Sequence, residues 1–148
     1  MDELSKAYDA YILDTGTDLD VVKLNVYVKI EDLIVKNSVS GWKGSYISNE
    51  LGSASHVLSF SGGASYIFAI HAIKEKWPVF TTSTDKACVT GKACMVYVGI
   101  NGQTKEIADL IEKYIDGSID YQDGTVRVFP ISGDYHIFIK KRPTLNQP

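Results

Sequence analysis

The clearest pattern of apolar and polar positions lies in the second half of the chain. An apolar run of strand length, Ala93 to Ile100, is bounded by Gly91 and by Asn101-Gly102, whose residues favour tight turns. Behind it, apolar residues recur at spacings of three and four, and charged residues fill the other positions. Thr104 can cap the start of this helix and Gly117 its end. The pattern predicts a buried strand and an amphipathic helix whose apolar face lies on a sheet. The apolar helix positions are Ile107, Leu110, Ile111, Tyr114 and Ile115.

The first half of the chain predicts one helix and several strands. Met1 to Leu13 carries apolar residues at helical spacing, so we expect an N-terminal helix with Leu4, Tyr8, Tyr11 and Ile12 on one face. Val21 to Ile30 alternates apolar and polar residues, which is typical of a half-buried strand. A short apolar run, Leu33 to Val35, follows it. After turn residues, Trp42 to Ile47 is expected to form a strand that pairs back on the one before it.

The middle and the end of the chain add further strands. We expect a strand at Tyr66 to Ala72, although its apolar positions also fit a helical face. Val79 to Ser83 and Lys86 to Val89 supply short strand material, and Thr125 to Pro130 with Tyr135 to Lys141 predicts a hairpin. Together these elements predict an α+β domain with a central, mainly antiparallel sheet, flanked by the N-terminal helix and by the helix in the C-terminal region.

Composition and charge narrow the class of protein. A chain of 148 residues is one ordinary domain. The net charge of -3 argues against a nucleic-acid surface, because phosphate neutralisation needs an excess of Lys and Arg. The first residues lack the pattern of a secretory leader, and no apolar stretch reaches the length of a transmembrane segment. We therefore expect a soluble cytoplasmic protein with no nucleic-acid partner.

The two cysteines, Cys88 and Cys94, flank a short segment around Gly91. If a turn there joins two antiparallel strands, the two thiols lie opposite each other and a bridge is geometrically conceivable. Two buried thiols are the favoured state in a cytosolic protein. The three histidines show no ligand-like spacing to this pair, so we expect no metal site.

Few motifs indicate chemistry. The loop Ser61 to Ser65 resembles the glycine loop with which ATP pyrophosphatases cradle phosphate, but the acidic residue of that loop is replaced. A glycine turn between strands is the simpler interpretation. Asp14, Asp18 and Asp20 lack the spacing of a calcium loop. We expect no cofactor and no enzymatic activity.

Four pieces in this order resemble a family. They are an aromatic-bearing N-terminal helix at Ala7 to Ile12, a strand, turn and tryptophan at Leu33 to Trp42, a Gly-Gly turn into an aromatic strand at Gly62 to Ile67, and a Thr-Gly-Lys turn with strand and helix at Thr90 to Gly117. Together they cover roughly residues 5 to 117, and the chain resembles a divergent profilin.

The resemblance implies one profilin-like domain, with residues 1–117 as its core, 118–142 as an additional hairpin and 143–148 as a tail. It implies a cytoskeleton-associated protein that binds monomeric actin and regulates its polymerisation. It also implies a second site for proline-rich segments, with anionic phospholipid headgroups as a further partner. The positions matching the actin face are Lys74, Lys76, Lys86, Lys92, Asn101, Lys105, Glu106 and Lys113. The aromatic residues available for polyproline are Tyr8, Tyr11, Trp42 and Tyr114.

The chain departs from the family pattern at two places. Trp42 to Gly62 is short for the elements usual there, and the C-terminal hairpin has no counterpart. This hairpin could cover the groove between the terminal helices, or contribute basic residues to a partner surface. The basic residues concerned are Arg127, Lys140, Lys141 and Arg142.

Two alternatives remain open. One is a compact inhibitor or adaptor module of the immunity-protein kind, whose acidic surface captures an unrelated partner. The other is an ATP-binding enzyme built around Ser61 to Ser65.

Overall fold

The computed structural model describes residues 1–24, 26–58, 68–77, 83–89 and 93–145. In chain order the elements are α1 (Asp2–Thr15), β1 (Val21–Lys23), β2 (Tyr27–Val28), a 3₁₀-helix (Ile30–Leu33), β3 (Phe68–Lys74), α2 (Ser83–Lys86), β4 (Cys94–Gln103), α3 (Lys105–Asp116), β5 (Val126–Ile131) and β6 (Asp134–Pro143). Among the described residues all strand pairings are antiparallel, and the order in the sheet is β1-β2-β3-β4-β6-β5. The predicted α+β class with an antiparallel sheet is confirmed. In the described ranges no helix is long and apolar enough to span a bilayer.

The predicted strand and helix in the second half are confirmed. The strand, β4, starts at Cys94 and runs on to Gln103. The Thr104 hydroxyl accepts a hydrogen bond from the Ile107 N–H, and α3 ends at Gly117, whose φ of 80° suits glycine. The C-terminal hairpin is confirmed as β5 and β6. Since β6 lies between β4 and β5, this hairpin extends the main sheet.

Helix α1 follows the sequence prediction closely. Leu4, Tyr8, Tyr11 and Ile12 are buried in one core cluster with Val98 of β4. The α3 helix contributes to a second cluster that contains Ile137 and packs against Ile139. Val98 and Ile139 are direct partners in the sheet, and partners in a ladder point to the same side. Both long helices therefore cover one face of the sheet.

The strand predicted over Val21 to Ile30 is wrong in extent. The chain reverses after Lys23, so that Val21 pairs with Val28 in a narrow hairpin, and Leu24 takes a positive φ of 52° at the bend. Alternation alone cannot distinguish one strand from two that fold back on each other, because both preserve a period of two.

Two further predicted strands are also wrong. The Trp42 to Ile47 segment is irregular because side chains fix it: the Trp42 indole N–H donates to the Asp32 carbonyl at 2.8 Å, and the Tyr11 and Tyr46 rings meet edge to face. The Lys86 to Val89 segment begins at the end of the single helical turn α2, and Ala87 forms only an isolated bridge to Ile73. Of Tyr66 to Ala72, residues 68–72 are confirmed as strand within β3, and the remainder lies outside the described residues.

Candidate functional site

The apolar side of α3 does not face the sheet as the sequence predicts. Ala108 and Glu112 are fully buried, whereas Leu110 is 63% and Tyr114 87% exposed. Ile107 and Ile115 are about two-fifths exposed, at 41% and 40%. The helix is thus rotated about its axis, so that a carboxylate faces the core and much of the apolar stripe faces solvent. Of the predicted apolar face, Ile111 packs against the core cluster beneath the helix, whereas the predicted packing of Leu110 and Tyr114 is wrong.

Carboxylates on α3 account for this rotation. The Glu112 carboxylate accepts a hydrogen bond from the Asp120 N–H at 2.6 Å. Asp116 accepts from the N–H groups of Thr125 and Val126 at 3.1 and 2.8 Å, and the Tyr121 hydroxyl donates to Asp109. Residues 117–125 therefore wrap around the acidic side of the helix, whose carboxylates accept these hydrogen bonds from the backbone. This loop holds the acidic side inward and leaves the opposite side open.

We call the exposed residues Ile107, Leu110 and Tyr114 the α3 stripe. They follow one another at spacings of three and four, so their side chains adjoin on one side of the helix. Glu106 and Lys113 are each within four positions of Leu110 and border the stripe. An apolar strip with charges of both signs along its edge is the composition expected of a protein-binding surface.

Lys105, Glu106 and Lys113, three of the residues matched to the actin face, are exposed on α3. The Lys105 ammonium pairs with Asp109 at 2.5 Å, and hydrogen bonds in the first helical turn hold the pKa of Glu106 below its ordinary value. Asn101 is half-buried near the end of β4, just before the helix. These four residues occupy one region of the molecule.

The other matched residues do not join that region. Lys74 pairs with Cys94 in the sheet, at the opposite end of β4 from Asn101, and Lys76 lies just beyond it. Lys86 is only 6% exposed, so its expected place on a polar rim is wrong. Lys92 lies outside the described residues.

The four aromatic residues matched to a polyproline groove are dispersed. Tyr8 and Tyr11 are 2% and 1% exposed, and the Tyr8 hydroxyl donates to Asp18 at 2.8 Å. Trp42 is half-buried with its indole N–H bonded to a backbone carbonyl, and Tyr114 projects into solvent from α3. Tyr8 and Tyr11 therefore have no free ring face to offer a proline-rich segment in this structure.

The basic residues of the C-terminal hairpin are largely engaged within the molecule. Lys141 pairs with Asp2 and Arg142 with Asp9, both at 3.4 Å, so the end of β6 contacts α1. Lys140 is half-buried beside the loop that follows α3. Arg127 is 5% exposed, and its guanidinium donates to the backbone carbonyls of Glu75 and Trp77.

The second face of the sheet holds a cluster that the sequence analysis missed. Lys86 Nζ lies 3.6 Å from the Phe129 ring centroid and 4.7 Å from that of Trp77, and Arg127 Cζ lies 4.6 Å from the Trp77 centroid. Burial, together with the charge of Arg127, lowers the pKa of Lys86 to about 8. The alternation of Arg127 and Phe129 with buried valines in β5 placed both on one face, but nothing in the sequence indicated Lys86 as their neighbour.

Histidines lie beside this cluster. His71 packs against Tyr27 and Phe138 with centroids 4.5 and 4.9 Å away, and burial lowers its pKa to about 3. His136 is half-buried against Phe129, and its pKa is also lowered, first by burial. The imidazoles are thus predominantly neutral at neutral pH.

The structure joins Cys88 and Cys94 in a disulfide, with Cα atoms 5.7 Å apart. This differs from the two buried thiols favoured by the sequence analysis. The bond ties the segment after α2 to the first residue of β4, and Cys94 itself belongs to the core. The glycine loop Ser61 to Ser65, the basis of the ATP-binding alternative, lies outside the described residues.

Comparison with family models, characterised proteins and solved structures gives no match.

Proposed function

We propose that the protein binds an actin monomer through the outer face of α3 and thereby regulates actin polymerisation. The observation that carries the proposal is the exposure of Leu110 and Tyr114, at 63% and 87%, on a helix whose opposite side is buried. Removing large apolar side chains from water lowers the free energy, so a surface that groups them is suited to association with a partner.

The charged border adds the second support. Glu106 and Lys113 adjoin the α3 stripe, and Lys105 lies at the start of the same helix. Such rim charges contribute more to association rate and partner selection than to affinity. The resemblance to profilins supplies the identity of the partner, because the family's actin face includes the helix at this place in the chain.

The proposal rests on the α3 region rather than on the whole set of matched lysines. Lys74 and Lys76 lie at the far end of β4 from Asn101, so they are not part of the α3 surface. Binding of proline-rich segments is not part of the proposal, because two of its four aromatic residues are in the core.

The test is a titration of monomeric actin, from the same organism, with the purified protein, followed by fluorescence and by the rate of filament elongation. We expect direct binding and slower elongation. The Leu110→Ser and Tyr114→Ser variants should each weaken binding roughly tenfold or more, because central apolar contacts dominate interface energies.

Leu13→Ser is the matched control, since Leu13 is 85% exposed but lies on α1. It makes the same change in surface chemistry away from the proposed site and should leave actin binding intact. Equal losses in all three variants would show that the α3 stripe is not the contact surface. No binding by the unmodified protein would overturn the proposal and leave an adaptor or inhibitor with another partner.

A further inference from the structure

The face of the sheet opposite the long helices concentrates positive charge. Lys86 and Arg127 are 6% and 5% exposed and flank the same Trp77 ring. The ion pairs found between described residues include neither of them. Burying two like charges in one cluster carries a desolvation cost. The aromatic rings, and for Arg127 the backbone carbonyls of Glu75 and Trp77, offset it only in part. An anion bound next to them would offset more of it.

A cavity of about 140 Å³ opens beside Lys86, whereas Arg127 is not among its lining residues. Lys86, His71 and His136 supply its polar groups, and Tyr27, Phe129 and Phe138 supply most of its apolar wall. A water molecule occupies roughly 30 Å³, so the space corresponds to roughly four or five waters. This volume accommodates a tetrahedral oxyanion.

The charges around Lys86 favour an anion over a cation. Arg127 faces it from β5, His71 from β3 and His136 from β6, and each of these groups is neutral or positive. One carboxylate acts on these histidines: the negative charge of Asp134, at the hairpin turn, raises the pKa of His136, but burial lowers that pKa by more. Aromatic walls limit hydration, which strengthens charge-assisted hydrogen bonds inside the cavity.

We propose that this cavity binds a small oxyanion of the phosphate class, held by the Lys86 ammonium with His136 as a second donor. The anion can be free phosphate or the phosphate end of a small phosphomonoester. The site lies on the face opposite α3, so it is independent of the proposed actin contact.

Thermal unfolding in phosphate, sulfate or chloride at matched ionic strength tests the proposal. Ligands that bind only the folded state raise the melting temperature with concentration, so we expect phosphate and sulfate to raise it and chloride not to. Because these two anions also stabilise proteins through exclusion from the surface, the specific effect is the difference between the unmodified protein and a site variant.

Lys86→Met is the site variant, because it keeps the aliphatic packing and removes the charge. It should weaken phosphate binding roughly tenfold or more, as expected for loss of a hydrogen bond to a charged group. Lys6→Met, at an exposed position on α1, is the matched control and should respond like the unmodified protein. His136→Phe gives a second site variant should Lys86→Met not fold.

Sulfate provides a test of the role of Lys86, since sulfate does not titrate near neutral pH. Its stabilising effect should decline as the pH rises through about 8, where Lys86 loses its proton. Glycerol phosphate distinguishes the sources: stabilisation equal to that of phosphate shows that the site accepts a monoester end, and no stabilisation restricts it to the free ion.

Equal melting temperatures in phosphate, sulfate and chloride would overturn the proposal. So would an unchanged phosphate response in both Lys86→Met and His136→Phe.

Discussion

Gly99 and His71 are diagonal neighbours on adjacent strands, since Gly99 pairs with Ala69 and His71 with Tyr97, and the glycine makes room for the imidazole. A Cβ atom at Gly99 would be 2.7 Å from His71 Nε2 and 3.4 Å from Phe138 Cδ1. The first distance is much shorter than an ordinary van der Waals contact, and the second is at its lower limit. All three residues lie on the second face of the sheet. The ring of His71 therefore occupies space that any side chain at position 99 would need.

Gly99→Ala should destabilise the protein by about 1–3 kcal/mol, the usual cost of overpacking a core. Urea unfolding measures this loss. In a His71→Val background the same substitution should cost less, because the smaller side chain removes the clash, so the double-mutant cycle gives a coupling energy. Additive losses in the double variant would show that the cost arises elsewhere.

The buried carboxyl of Glu112 predicts an unusual pH dependence. Burial raises its pKa from the ordinary 4.5 to about 7, with the negative charges of Asp116, Asp120 and Asp109 adding to the shift. The folded state thus binds this proton more tightly than the unfolded state does. Its contribution to stability is complete below about pH 4.5 and is lost as the pH rises through about 7.

The size of this effect follows from the shift, at about 1.4 kcal/mol per pKa unit, and is at most on the order of 3 kcal/mol. Glu112→Gln keeps an acceptor for the Asp120 N–H and removes the titration. Relative to this variant, the original protein should therefore lose unfolding free energy as the pH rises from about 5 to 8. The lowered pKa values of His71 and His136 act in the opposite direction, but they affect both proteins alike. Glu106→Gln, on the solvent side of the same helix, should retain the original slope. An identical slope in Glu112→Gln would assign the titration to another group.

The α3 stripe should contribute little to folding stability. Leu110→Ala and Tyr114→Ala each remove exposed atoms, so the free energy of unfolding should change by less than about 0.5 kcal/mol. Ile137→Ala, at a fully buried position in the cluster beneath α3, should cost about 2–5 kcal/mol. Chemical denaturation of the three variants makes the comparison. A large loss at Leu110 would mean that the apolar side of the helix packs against the domain after all.

The sequence predicted correctly those elements in which the apolar periodicity and the flanking turn residues both indicate the same structure. The α1 face, β4, the caps of α3 and the C-terminal hairpin all combine periodicity with clear turn residues. The rotation of α3 could not be predicted, because it depends on a loop whose backbone N–H groups need Asp116 and Glu112. Apolar periodicity identifies a helix and its apolar side, but neighbouring segments decide which side is buried.

The cluster of Lys86, Arg127 and Trp77 on the second face of the sheet could not be predicted from the sequence, for a related reason. Lys86 and Arg127 are 41 positions apart, and a single charged residue in a chain is most often solvated. Only the register of β5 on β6 and the position of α2 bring the two to the same tryptophan. The four aromatic residues expected to line a polyproline groove are likewise not brought together. The sequence could not show this, because an aromatic side chain in the core and one in a groove look alike in sequence.

The disulfide between Cys88 and Cys94 gives the last prediction. It closes a short loop, with the cysteines six positions apart, so the chain-entropy account assigns it about 2 kcal/mol. Reduction should lower the unfolding free energy by about that amount, and Cys88→Ser should reproduce the reduced value. Cys88 is the better position to substitute, since a serine at the buried Cys94 would add an unpaired hydroxyl. Intact mass before and after alkylation without reductant measures the bond itself. Alkylation of both thiols in the native oxidised preparation would show that the bond is absent in solution. An equal unfolding free energy with and without reductant would show that the bond does not contribute to folding stability.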